Sequence, residues 1–187
     1  QPFVLKAGET FGVFDSFGDL RPDESSEQGV YHAGMRHLSR LEFQIWGAGP
    51  LLLSSTVRQD NCALTVHLTN PDITRADQVI VPRGALYMAR TTVLAEHACV
   101  QRMRVSSYSD QEIVIPVRLL AAADFCDIFQ IRGMPRTQYG RPRPPTFEAG
   151  ELTFEYEGRD QVVRSTRLRV RPAPDRHFVG GVELQYT

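Results

Sequence analysis

Lysine is nearly absent from this chain: Lys6 is the only one, and the other 20 of the 21 basic residues are arginine. The planar arginine fork suits anions and sugar hydroxyls. These arginines are spread along the chain and nearly balanced by 22 acidic residues, so GC-rich coding is the expected explanation. The formal charge of -1 supplies no basic face, which sets nucleic acid aside as the main partner. Cysteine is also scarce. Cys62, Cys99 and Cys126 are odd in number, far apart and without a CxxC pair. They make no disulfide framework, so a reducing, cytoplasmic location is expected.

Long apolar runs are missing too. The longest, Leu119 to Ala123, is far below the roughly 18 residues a membrane span needs, so no membrane is expected as a partner. The segment Gln1-Pro2-Phe3-Val4-Leu5-Lys6 lacks a basic stretch followed by an apolar one, so no signal peptide is expected. It also lacks an initiator Met, and the chain is expected to be a processed product or a piece of something longer. Its 187 residues suit one domain, or two small ones at most.

The familiar catalytic signatures do not occur. There is no GxSxG elbow, P-loop, GxGxxG fingerprint or HExxH pair. His32, His37, His67, His97 and His177 show no ligand spacing, so no metal site is expected and these histidines are read as structural or surface residues. Asp124 and Asp127, and Asp15 and Asp19, are close carboxylate pairs, but nothing marks either as acid plus nucleophile. Pairing of Asp124 and Asp127 with nearby arginines such as Arg132 or Arg118 is the expected use.

Period-2 alternation is abundant where helical periodicity is missing. Leu41, Phe43 and Ile45 alternate with polar neighbours, as do Leu152, Phe154 and Tyr156; Cys62, Leu64, Val66 and Leu68 form a third such face. Turn-forming clusters at 16–19, 47–50, 107–110 and 157–160 separate the runs, which predicts successive hairpins. About a dozen strands in one domain predict two packed antiparallel sheets, an all-β sandwich. Pro116 inside 113–120 predicts an edge strand or a bulge. The segment 133–145, with four prolines and four arginines at or beside it, reads as a long exposed loop, either functional or disordered.

Three blocks, in order, resemble the N-terminal domain of bacterial and archaeal glycogen debranching enzymes of the amylo-α-1,6-glucosidase type. The first is Glu27-Gln28-Gly29-Val30-Tyr31-His32-Ala33-Gly34-Met35-Arg36-His37-Leu38-Ser39-Arg40-Leu41, similar to the family's Gly-Leu-Phe-x-x-Asp-Thr-Arg-x-Leu-Ser-Arg block. The second is Leu51-Leu52-Leu53-Ser54-Ser55-Thr56, continuing through Asp60-Asn61 to Leu68-Thr69-Asn70-Pro71-Asp72. The third runs from Gln101-Arg102 into Ala123-Asp124-Phe125-Cys126-Asp127-Ile128-Phe129-Gln130-Ile131-Arg132-Gly133. The chain departs from the family at Gly34-Met35, often Asp-Thr there, and at Gln130, usually an acid.

The resemblance implies a large antiparallel two-sheet β-sandwich of the super-sandwich, galactose-mutarotase-like kind. It implies that residues 1–187 are one N-terminal domain of a larger enzyme. A C-terminal (α/α)6 barrel, absent from this chain, would carry the catalytic carboxylates. The implied partners are that catalytic domain and a glycogen-like α-glucan; no cofactor is expected, and no catalytic residue within the chain. Arg36, Arg40, Asp60, Asn61, Asp124, Asp127 and Arg132 are the polar positions inside the matched blocks. They either line a sugar-binding edge or a loop reaching the catalytic barrel, with Tyr31, Trp46, Phe125 or Phe129 as platform, or pair among themselves to hold hairpins in register. The pairing role is the one expected. An independent carbohydrate-binding β-sandwich module is the alternative function. A mutarotase-like epimerase is a third, and would need a His and a carboxylate converging in an open cleft.

Overall fold

A computed structural model describes residues 2–21, 27–134, 138–178 and 182–186. The strands β1 (Phe3–Ala7), β2 (Thr10–Phe14), β3 (Gly29–His32) and β4 (Met35–Leu38) form one antiparallel meander. Strand β5 (Arg40–Ile45) departs to another sheet. Strands β6 (Leu51–Val57) and β7 (Ala63–Thr69) begin a second sheet, and β8 (Ile73–Arg75) and β9 (Gln78–Val81) make a small ribbon. Strands β10 (Leu86–Ala95) and β11 (Ala98–Ser107) complete the second sheet in the order β11-β10-β7-β6. Next come β12 (Val117–Ala122), the single-turn helix α1 (Ile128–Ile131), and the meander β13 (Arg141–Glu148), β14 (Glu151–Glu157) and β15 (Val163–Arg169). Strands β16 (Arg176–Phe178) and β17 (Val182–Tyr186) close a sheet of order β16-β17-β12-β5.

The chain is thus the all-β antiparallel sandwich that its alternation predicts. Every alternating run becomes a strand with one buried face: Leu41, Phe43 and Ile45 on β5, Leu64, Val66 and Leu68 on β7, Leu152, Phe154 and Tyr156 on β14. These residues join Leu5, Phe14, Met88 and Ala121 in one continuous core shared by the four larger sheets. Each such aliphatic or aromatic side chain stabilises the fold by about 1.5–3 kcal/mol when fully buried. A smaller core of Ile73, Val81 and Ala85 sits beneath Trp46 and Ile113. Among the described residues no helix is long and apolar enough to cross a membrane.

The structure corrects three expectations about connectivity. The turns at 47–50 and 107–110 do not close hairpins, because β5 pairs with β12 while β6 pairs with β7, and β11 pairs with β10. They carry the chain from one sheet to another. Pro116 lies just outside β12, which is bonded on both sides by β5 and β17 and is an interior strand. Having no N–H, the proline ends the ladder, while its carbonyl accepts from the Trp46 amide at 2.9 Å. Residues 141–145 are strand rather than loop. Strand β13 is the edge of its sheet and its register slips between Arg143 and Thr146, across Pro144 and Pro145, where missing donors cost no ladder bond. Of the rest of that segment, Pro135 and Arg136 lie outside the described residues.

A buried charge cluster ties the sheets together. Asp19, 1% exposed, accepts from the Arg90 guanidinium at 2.5 Å, and Arg90 is 2% exposed. The same carboxylate oxygen accepts from the Phe43 amide at 3.1 Å, and the other oxygen meets Arg21 at 3.0 Å. Arg90 also donates to the Phe17 carbonyl at 3.1 Å and to Gln101 Oε1 at 3.0 Å. The loop after β2 is thereby fixed to β5, β10 and β11. Asp15 shapes that loop by accepting from the amides of Phe17 and Asp19, and burial pushes its carboxyl up from the ordinary value.

Candidate functional site

The first and third resembling blocks meet in space. Strand β4 runs beside residues 122–128: the amides of Ser39 and Arg36 donate to the carbonyls of Ala122 and Cys126, each at 2.8 Å, and the Ile128 amide donates to Gly34 at 2.9 Å. This pairing brings Arg36 onto Asp124. Arg36 Nη2 donates to Asp124 Oδ2 at 2.5 Å and Nε lies 3.1 Å from the same oxygen, a two-pronged charged contact. Arg36 Nη1 also holds the Gln28 carbonyl at 3.1 Å. Gly29 makes room for this: its φ is +154°, and a Cβ there would collide with Cδ of Arg36 and crowd the Leu38 carbonyl. The partner of Asp124 is therefore Arg36, not Arg118 or Arg132.

Asp127 has a different job. Nine per cent exposed, it caps α1 and accepts from the Gln130 amide at 2.8 Å. Between the two aspartates Phe125 adopts φ +52°, which turns its ring inward to stack on Tyr156 at 5.5 Å and to meet His37 edge-on at 5.5 Å. Cys126 beside them has its thiol pushed up to about 11, by burial first and then by the charge of Asp124.

The side chains of the remaining predicted residues have other partners or face solvent. Arg40 pairs with Glu42 at 2.7 Å. Asp60 pairs with Arg58 at 2.6 Å and accepts from the Cys62 amide at 3.1 Å, in the β6–β7 turn. Asn61, at φ +54°, links that turn to β1 through its carbonyl, which accepts from the Lys6 amide at 2.8 Å. Arg132 ends α1 and is exposed. Of the aromatic candidates, Tyr31 and Phe125 are buried and Trp46 is half-buried, whereas Phe129 is 60% exposed. Tyr31 stacks on Phe11 at 4.5 Å and donates to the Glu27 carbonyl at 2.7 Å, so it serves packing rather than a sugar platform.

Sequence reasoning missed the cleft on the other side of β4. Its volume is about 310 Å³, and three histidines line it. His32 comes from β3, His37 from β4 and His97 from the β10–β11 turn. His37 owes its position to a bulge: Tyr31 pairs with Arg36 and Val30 with Leu38, leaving His37 with no residue opposite. The His32 ring lies 4.9 Å from His97 and 6.2 Å from His37. The two-strand spacing of His32 and His37 about Gly34 was the available signal; the bulge and the contribution of His97 were not visible.

Hydroxyls orient these rings. The Thr10 hydroxyl lies 2.8 Å from His32 Nδ1 and also meets the Glu96 carbonyl. Thr166 on β15 donates to the His37 carbonyl at 2.7 Å, with its oxygen 3.3 Å from His37 Nδ1. Burial, then the nearness of His32, holds His37 below its ordinary value of 6.5, so its neutral form is favoured. Among the described residues no carboxylate lines the cleft, so they supply no pairing there of His with carboxylate such as an epimerase needs. Among the described residues no group of three or more His, Cys, Asp or Glu side chains is arranged to hold a metal ion.

A family model described as the N-terminal domain of some glycogen debranching enzymes matches residues 5–187. No curated protein and no solved structure matches the chain.

Proposed function

Because this chain belongs to the family of N-terminal domains of glycogen debranching enzymes, we propose that it is the non-catalytic β-sandwich of such an enzyme. In this reading residues 1–187 form one domain that packs against an (α/α)6 catalytic domain and helps place a glycogen-like α-glucan there. The observation that carries the reading is the fate of the charged residues in the resembling blocks. Hydrolysis of a glycosidic bond needs two carboxylates free to act as acid and as base or nucleophile. Here Asp124 is held by Arg36, Asp127 caps a helix, and Asp60 is bound to Arg58 and a backbone amide. These groups are engaged in building the fold, which supports an accessory role with the carboxylates of catalysis elsewhere. Such chemistry needs no cofactor. All three cysteines are free thiols, which supports a reducing, cytoplasmic setting.

Adding the purified chain to a separately produced catalytic domain of the same enzyme tests this. The expected result is association and a gain in activity on α-1,6-branched glucan or in thermal stability of the catalytic domain. No association and no gain would overturn the reading. Tight glucan binding by the chain alone, with no association, would favour an independent carbohydrate-binding module.

A further inference from the structure

We infer that the three-histidine cleft between β3, β4, the β10–β11 turn and β15 is a binding site for an uncharged polyhydroxylated ligand, a terminal glucosyl residue of an α-glucan. The inference rests on the proposed role in a debranching enzyme and gives that role a place on the molecule. Four features of the cleft select this chemistry. Its volume of about 310 Å³ lies at the bottom of the roughly 300–1,000 Å³ range of small-molecule sites. That suits one sugar ring rather than a branched oligosaccharide. Apart from Arg167 and Cys99, the polar side chains of the lining are imidazoles and hydroxyls, and a neutral imidazole both donates and accepts, as sugar hydroxyls do. His32 is held at the cleft wall by the Thr10 hydroxyl, 2.8 Å from its Nδ1. The wall contributed by Leu38 and Leu168 offers an apolar surface to the C–H face of a pyranose.

Charge argues the same way. A cation would want a carboxylate, and among the described residues none lines the cleft. An anion would want a guanidinium shielded from water. Arg167, the cleft's arginine, lies 3.9 Å from Glu151 and is mostly exposed. An uncharged ligand asks for neither.

Imidazole NMR signals of the purified chain, followed during titration with maltose, test the site. His32, His37 and His97 signals are expected to move together and saturably, while those of His67 and His177 stay still. His97→Ala, at an exposed turn position, is expected to weaken binding about five- to tenfold without altering the melting temperature. Absence of any maltose-induced shift in the three signals would overturn the inference. So would shifts that inorganic phosphate or Zn²⁺ reproduces and maltose does not, or equal affinity of His97→Ala and the parent chain for maltose. Failure here, with association to the catalytic domain intact, removes the sugar site and leaves the accessory role standing. Sugar binding without association does the reverse.

Discussion

Replacing Asp19 by Ala should be among the most damaging single changes to this fold. The pair it makes with Arg90 is almost wholly shut from water, at 1% and 2% exposure. Removing one partner of a buried pair strands the other charge, at a cost of about 3–5 kcal/mol. The Phe43 amide loses its acceptor as well, and an unpaired buried donor costs about 1–3 kcal/mol by itself. Arg90 keeps the Phe17 carbonyl and Gln101, which softens the loss, so about 3–5 kcal/mol is the figure to test. For a domain of this length each kcal/mol moves the melting temperature by about 2–4 °C, giving a drop of about 6–20 °C. Differential scanning calorimetry at neutral pH reads it directly. Asp19→Asn, which retains an oxygen for Phe43 and Arg90, should lose less. Asp19→Ala with Arg90→Ala should lose less than the two single changes added together. A melting temperature for Asp19→Ala within about 2 °C of the parent would refute the claim that this cluster fastens the sheets.

Three further outcomes are expected. Asp124→Ala, which frees the half-buried Arg36, should lower stability by about 1–3 kcal/mol in chemical denaturation, between the exposed and buried extremes, while leaving maltose affinity unchanged. His37 is held below its ordinary 6.5, so the unfolded chain binds the proton more readily. Stability should therefore fall as pH drops below about 6.5, level off once pH passes the lower folded value, and fall less in His37→Gln; subtracting the two melting curves isolates this residue from Asp15. Cys99 and Cys126, both pushed up to about 11, should be alkylated by iodoacetamide at pH 8 far more slowly in the folded than in the unfolded chain, as peptide mass spectrometry would show.

The sandwich was legible because burial on one face of a sheet writes itself into every second residue. Leu64, Val66 and Leu68 could be assigned to the core from their spacing alone, and the structure buries all three. Partnership between distant strands leaves no such periodic mark. The turn at 47–50 looks like a hairpin turn whether the chain doubles back or crosses to another sheet. Three prolines in β13 spoke against a strand, yet an edge position and a slipped register accommodate them. At the candidate site the engagement of Asp124 with an arginine was foreseen, but Arg36 is 88 positions away and not the sequence neighbour expected. The histidine cleft was hidden for the same reason. His32, His37 and His97 are brought together by a bulge and by the approach of a hairpin from another sheet.

The central claim is that this domain serves a debranching enzyme without performing its chemistry. Glucose release from an α-1,6-branched glucan by the purified 187-residue chain measures that most directly. The account predicts no release above the buffer control, even on long incubation. Sustained release that follows the purified chain and disappears in a variant of one of its own carboxylates, such as Asp60→Asn, would contradict it.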